Sequence, residues 1–196
     1  MEIRPEESPL TIALRLATTE DVPALLRLIP ESARGLSVGY YTPEQTEAAI
    51  RHVFGVDSQL IADGTYFVVE DGTTIVACGG WSRRRALYGG DQRKVDGASA
   101  GVAEALGGDV LDPMVDAARV RAFFVAPSHA RRGIGTRLLE ACTAAAGAAG
   151  FVRLELMSTR PGVPFYTRLG FTALETVTDT LPDGTMVEFV RMQRVI

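Results

Sequence analysis

The most constraining feature of this chain is a strand that runs into a basic, glycine-bearing turn and leaves it as an apolar helix. Phe123-Phe124-Val125-Ala126-Pro127 is followed by Arg131-Arg132-Gly133-Ile134-Gly135-Thr136. The spacing predicts a strand over 119–125 and a helix over 133–149, with Ile134, Leu138, Cys142 and Ala145 on one face and Gly150 as its stop. A helix start carries unpaired N–H groups and the positive end of the backbone dipole. Glycines there let an anion approach the backbone without a Cβ in the way, and Arg131 and Arg132 add charge beside it. The pattern predicts a pyrophosphate-binding turn. The alternative is a helix that begins at glycine beside two solvated arginines. Neither G-x-x-x-x-G-K-[ST] nor G-x-G-x-x-G is present.

The remaining elements follow from periodicity and caps. Thr11–Leu16 alternates as a strand, and Thr18-Thr19-Glu20-Asp21 resembles a capping box before Val22, Leu25, Leu26 and Ile29. Pro30 is expected to end that helix, leaving a loop from Glu31 to Tyr41. Thr42-Pro43-Glu44-Gln45 starts a second helix. Tyr66–Glu70 and Thr74–Trp81 form a hairpin across Asp71-Gly72. A glycine-rich stretch at about 85–116, with a weak helical patch at 98–106, reads as an irregular insert. Then come a strand over 152–157, a short helix over 163–169, and a hairpin of Phe171–Thr178 with Met186–Val195. This order gives an α/β (α+β) domain, expected to be a single one over 1–196.

Composition narrows the function classes. The chain has 196 residues, 46% hydrophobic and 22% charged, with net charge −4. That is a globular composition, and it argues against a nucleic-acid partner, which calls for a basic face. No apolar run reaches the ~18 residues of a membrane span. The acidic start Met1-Glu2-Ile3-Arg4-Pro5-Glu6-Glu7 lacks a signal-peptide pattern, so no membrane and a cytoplasmic location are expected. Two cysteines (Cys78, Cys142) and two histidines (His52, His129) provide neither a disulfide framework nor zinc spacing, so no metal is expected.

The turn resembles the acetyl-CoA-binding motif of the GNAT-type N-acetyltransferase superfamily, Arg/Gln-x-x-Gly-x-Gly/Ala after a strand ending in Val-x-Pro. Val163-Pro164-Phe165-Tyr166-Thr167-Arg168-Leu169-Gly170-Phe171 resembles that family's Pro-Phe-Tyr-x-x-Leu-Gly-Phe segment. The resemblance implies a mixed, mostly antiparallel central sheet of about six to seven strands flanked by helices. It implies acetyl-CoA as co-substrate, with the pantetheine arm along Phe123, Phe124 and Val125. It also implies the pyrophosphate on the backbone of Arg131, Arg132, Gly133, Ile134, Gly135 and Thr136. Tyr166 matches the tyrosine that protonates the departing thiolate.

Three positions depart from the family pattern. The first motif residue is Ala130, with Arg131 beside it. Pro161 and Gly162 stand where the family often has Asn-Ala. Arg121 occupies the place of the glutamate that serves many members as general base. The base is therefore unassigned; Glu70, Glu155 and Asp116 are candidates only as acids.

The activity the resemblance implies is acyl-CoA-dependent N-acyl transfer, with acetyl passing from acetyl-CoA to an amine of a small molecule or peptide by direct attack. The alternative is a non-catalytic acetyl-CoA-binding regulatory domain. The acceptor is expected near Tyr40, Tyr41, Trp81 and Arg83, where Arg83, Arg84 and Arg85 can pair with an acidic acceptor or simply be solvated. The last hairpin can complete the sheet or pair with a second subunit as a homodimer.

Overall fold

A computed structural model of the chain describes residues 12–88, 90, 91 and 110–196. Most of the expected insert at 85–116, including the helical patch, lies outside the described residues. Seven strands form one sheet: β1 Ile12–Leu16, β2 Tyr66–Asp71, β3 Thr74–Ser82, β4 Ala118–Val125, β5 Arg153–Thr159, β6 Thr172–Thr180 and β7 Met186–Val195. The order is β1-β2-β3-β4-β5-β7-β6, and only the β4–β5 pair is parallel. The last hairpin thus completes the sheet, with β7 inside and β6 on the edge.

Among the described residues five α-helices flank the sheet: α1 Val22–Leu36, α2 Pro43–His52, α3 Ser58–Ala62, α4 Ile134–Ala148 and α5 Val163–Arg168. A capping box at Thr18/Asp21 starts the 3-10 turn Thr19–Asp21 that leads into α1, and one at Thr42/Gln45 starts α2. Arg15 clamps Asp21 from β1 at 2.7 Å and holds its carboxyl down at about 2. Residues Val76–Ser82 of β3 are all buried, so both faces of the sheet are covered there. Apolar side chains gather in two clusters, and Phe67 and Phe123 pack against both.

One expectation fails with consequences for the site. α1 does not stop at Pro30 but continues to Leu36. The N–H that proline lacks would have reached the carbonyl of Leu26, whose residue is 55% exposed, so the lost bond lies on the solvent side. The buried stripe Leu25, Leu28, Ile29 continues through Ser32 and Ala33, and this packing outweighs the local penalty. The extra turn and a half carries Ser32, Ala33 and Leu36 to the site.

Candidate active site

The site begins with a fault in the sheet. β4 and β5 pair only over Ala118–Val120 and Leu154–Leu156, although β4 runs on to Val125 and β5 to Thr159. Beyond Val120 the β5-facing edge of β4 has no strand partner. On its other edge β4 bulges: Cys78 faces Phe124 and Gly80 faces Arg121, so Gly79 alone opposes Ala122 and Phe123. Ala122 takes φ 52 at the bulge. Its carbonyl accepts hydrogen bonds from the Tyr66 hydroxyl at 3.2 Å and the Cys78 thiol at 3.8 Å. Gly79 is obligatory, because a Cβ there would sit 2.3 Å from the Phe123 ring. The end of β4 is held by α1, where Ser32 Oγ accepts from Val125 N–H at 3.1 Å.

A cavity of about 630 Å³ occupies the opening between the strands. Its wall includes Phe123, Phe124, Val125, Arg131, Gly133, Gly135, Thr136, Tyr166 and Tyr40 from the sequence-derived set. The turn that closes it is backbone-built. Arg131 and Gly133 both adopt left-handed conformations, φ 64 and 80, before the helix starts. For Gly133 this conformation explains the residue; for Arg131 it is local strain in the turn. Gly135 has a different reason. A Cβ there would lie 3.2 Å from the Phe165 ring, so this glycine sets how closely α4 approaches α5. Ile134 is buried in the core and Arg132 is exposed off the wall, so neither offers the cavity a side chain.

Tyr166 stands on α5 within an aromatic cluster. Its ring lies 5.0 Å from Phe165, 5.5 Å from Phe171 and 6.2 Å from Phe123, edge to face. Burial pushes the phenol well above its ordinary value of 10.0, with Cys142 adding to the shift. Gly162 belongs to this arrangement, since a Cβ would meet Ser158 Oγ at 2.8 Å and the Tyr166 ring at 3.3 Å. His129 reaches the wall from the loop after β4, with Nε2 3.2 Å from Asp71.

Several sequence-derived positions are not brought to the cavity. Trp81 is 6% exposed and packs edge-on against Phe151 in the core. Tyr41 is buried as a tie: its hydroxyl donates to the Glu188 carbonyl at 2.5 Å and accepts from Arg160 N–H at 2.9 Å. Arg83 is exposed off the wall, Arg84 pairs with Asp63 at 2.8 Å, and Arg85 lies 3.9 Å from Asp116. The three arginines therefore do not assemble an acidic-acceptor subsite. The acidic candidates are also spent elsewhere. Glu70 pairs with Arg15, and Glu155 is buried between Arg119 at 2.8 Å and Arg191 at 3.3 Å. No carboxylate lines the cavity among the described residues. Arg121, in the place of the family's glutamate, is buried against Asp57 at 3.1 Å and donates to the Ala86 carbonyl. Both cysteines are buried, with their thiols pushed up to about 12, which disfavours a thiolate relay. No group of three or more metal-ligating side chains occurs among the described residues, nor a helix long and apolar enough to cross a membrane.

Leu36, from the stretch 31–41 expected beside the site, and Tyr88, from the expected insert, reach the wall, whereas sequence reasoning missed Phe54 and Phe189, which also line it. In the sequence nothing separates them from ordinary core residues.

A sheet opened between its one parallel pair, beside a glycine turn at a helix start, matches a known design. A family model described as "Acetyltransferase (GNAT) domain" matches residues 62–173, more than half of the chain, and the chain belongs to that family. Among solved structures, it is similar to a GCN5-related N-acetyltransferase from Rhodopseudomonas palustris, at 19% identity and TM-score 0.66, covering 97% of this chain and 100% of that one. It is similar to PaiA N-acetyltransferase from Thermoplasma acidophilum in complex with coenzyme A, at 15% identity and TM-score 0.61, covering 95% and 100%. A ribosomal-protein-alanine N-acetyltransferase from Brucella melitensis aligns at 15% identity and TM-score 0.56, covering 94% and 99%. No curated protein sequence matches the chain.

Proposed function

We propose that this protein transfers the acetyl group of acetyl-CoA to an amine by direct attack, with Tyr166 as the acid. The observation that carries the reading is the placement of Tyr166, whose ring is buried on the wall of the same cavity that ends at the Arg131–Thr136 turn. In this reading the pyrophosphate sits on the backbone N–H groups of that turn. The pantetheine arm follows the edge of β4 at Phe123–Val125 that has no strand partner, and a main-chain N–H of this edge other than that of Val125, which is held by Ser32, stabilises the oxyanion. The amine attacks as its free base. The C–S bond then breaks, the sulfur takes the Tyr166 proton, the former amine proton goes to solvent, and Tyr166 is reprotonated. A phenol held above its usual range stays in the acid form needed for this step. The cytosol remains our compartment, in keeping with two free, buried thiols.

The second reading, a non-catalytic acetyl-CoA-binding regulatory domain, has one observation in its favour: the described wall carries no carboxylate to act as base. Calorimetry with acetyl-CoA, run beside a thiol-release assay over an amine panel, decides between them. Binding with release on one amine class supports transfer. Binding without release on any acceptor supports the regulatory domain, and no binding overturns both.

A further inference from the structure

Neighbouring residues of a strand point to opposite faces, and β4 uses this to divide the cavity. Phe123 contacts Phe165 and Tyr166 on the α4–α5 face. Phe124 points the other way, with its ring 5.7 Å from Phe54. Phe54 lies 6.4 Å from Phe189, which lies 5.8 Å from Tyr88, all edge to face. Leu36, Tyr40 and Leu87 complete this second lobe. Apart from the hydroxyls of Ser32, which holds Val125 N–H, and Ser37, the uncharged side chains on this side are apolar or phenolic. Tyr40 is 48% exposed and stands at its rim.

The charge on this side is already matched. Arg121 reaches the wall, but its side chain is 4% exposed and held by Asp57, itself 3% exposed, and by the Ala86 carbonyl. The other basic wall residues, His129, Arg131 and Arg168, belong to the loop after β4, the turn and α5. A second ammonium on the acceptor would enter an apolar lobe without a carboxylate among the described residues. A carboxylate would find Arg121 already committed. Either charge would be buried unpaired, which is costly, whereas an apolar body gains by leaving water.

We propose that the acceptor is a monoamine on an aromatic or branched apolar body, seated among Phe54, Tyr88 and Phe189 with its nitrogen toward β4. This rests on the acetyl-transfer reading and names its substrate class. It excludes polyamines, free amino acids and peptide N-termini as preferred acceptors.

The test compares phenethylamine with spermidine, L-alanine and a short free-amine peptide. Thiol release is followed by calorimetry of each acceptor against the protein saturated with CoA. The expected result is a kcat/KM for phenethylamine at least about tenfold above the others, the scale that burying one ring provides. Tyr40→Ala and Tyr88→Ala should each raise its KM several-fold and leave the KM of acetyl-CoA within about twofold. Tyr40 is exposed enough for its variant to fold. Preference for spermidine, L-alanine or the peptide would overturn the proposal, as would an unchanged phenethylamine KM in both variants. If no acceptor is turned over while CoA binds, the transfer reading fails and calorimetry alone judges the lobe. Phenethylamine binding that Tyr88→Ala weakens upholds it, and no binding below about 10 mM overturns it.

Discussion

The two faces of β4 are built on different principles. On the α4–α5 face the wall comes from two short stretches, Phe123–Thr136 and Pro161–Leu169, and its binding groups are largely main chain. On the α1–α2 face it comes from α1, the Val53–Gly55 segment after α2, Leu87–Tyr88 and Phe189, and its groups are side chains. A main-chain site is fixed by backbone geometry, so its essential residues are those whose Cβ or φ decides that geometry. A side-chain site is fixed by packing and can change composition while the backbone stays in place. In the proposed reading the first face therefore suits an invariant ligand, and the second would set specificity.

The largest expected effect separates chemistry from binding on the first face. Tyr166→Phe should lower kcat by about 10²–10⁴-fold, the range for a positioned general acid, with CoA affinity within twofold. Equal turnover would remove Tyr166 from the mechanism. Gly135→Val should then show that the turn depends on backbone approach. Overpacking against Phe165 should cost about 1–3 kcal/mol in denaturant unfolding and weaken CoA binding measured by calorimetry. A stable variant with unchanged affinity would mean that α4 can shift freely.

Smaller effects sharpen the contrast. Arg131→Gly should stabilise the fold by about 1 kcal/mol in chemical denaturation by relieving its left-handed strain, while raising the Kd for CoA through loss of the guanidinium. Tyr166 also makes a pH prediction. In the proposed mechanism its acid form is the active one, and burial raises its pKa above 10.0, so no loss of kcat from its ionisation should appear until pH exceeds that value. Initial rates from pH 6 to 11 check this.

The smallest effect lies far from both faces. Asp21 is lowered to about 2 by Arg15, so it contributes stability above about pH 4 that is lost as pH falls toward 2. Asp21→Asn should cost about 1 kcal/mol near neutrality and flatten the melting temperature across that window, without changing CoA affinity.

The same contrast explains what could be read from the sequence. Sheet strands and helix caps were legible because alternation, capping boxes and stop glycines are local signals, as at Thr42/Gln45 and Gly170. The turn at Arg131–Thr136 was legible because a main-chain site needs particular residues in a row. The helix beyond Pro30 was not, because burial of Ser32 and Ala33 is a tertiary effect. Of the second lobe Tyr40 was expected, but Phe54 and Phe189 were not legible. Phe54 and Phe189 are 135 positions apart only in sequence, and each alone is an ordinary core aromatic. Tyr41 and Trp81 misled for the converse reason: aromatics beside an expected site read as pocket residues, yet one ties the α1–α2 link to β7 and the other fills the core.

The most direct test of the two-faced cavity is amide hydrogen exchange with and without CoA. The account predicts slower exchange at Phe123–Val125 and Arg131–Thr136 on adding CoA, with the β6–β7 hairpin unchanged. Unaltered exchange at both segments in the CoA-bound protein would contradict it.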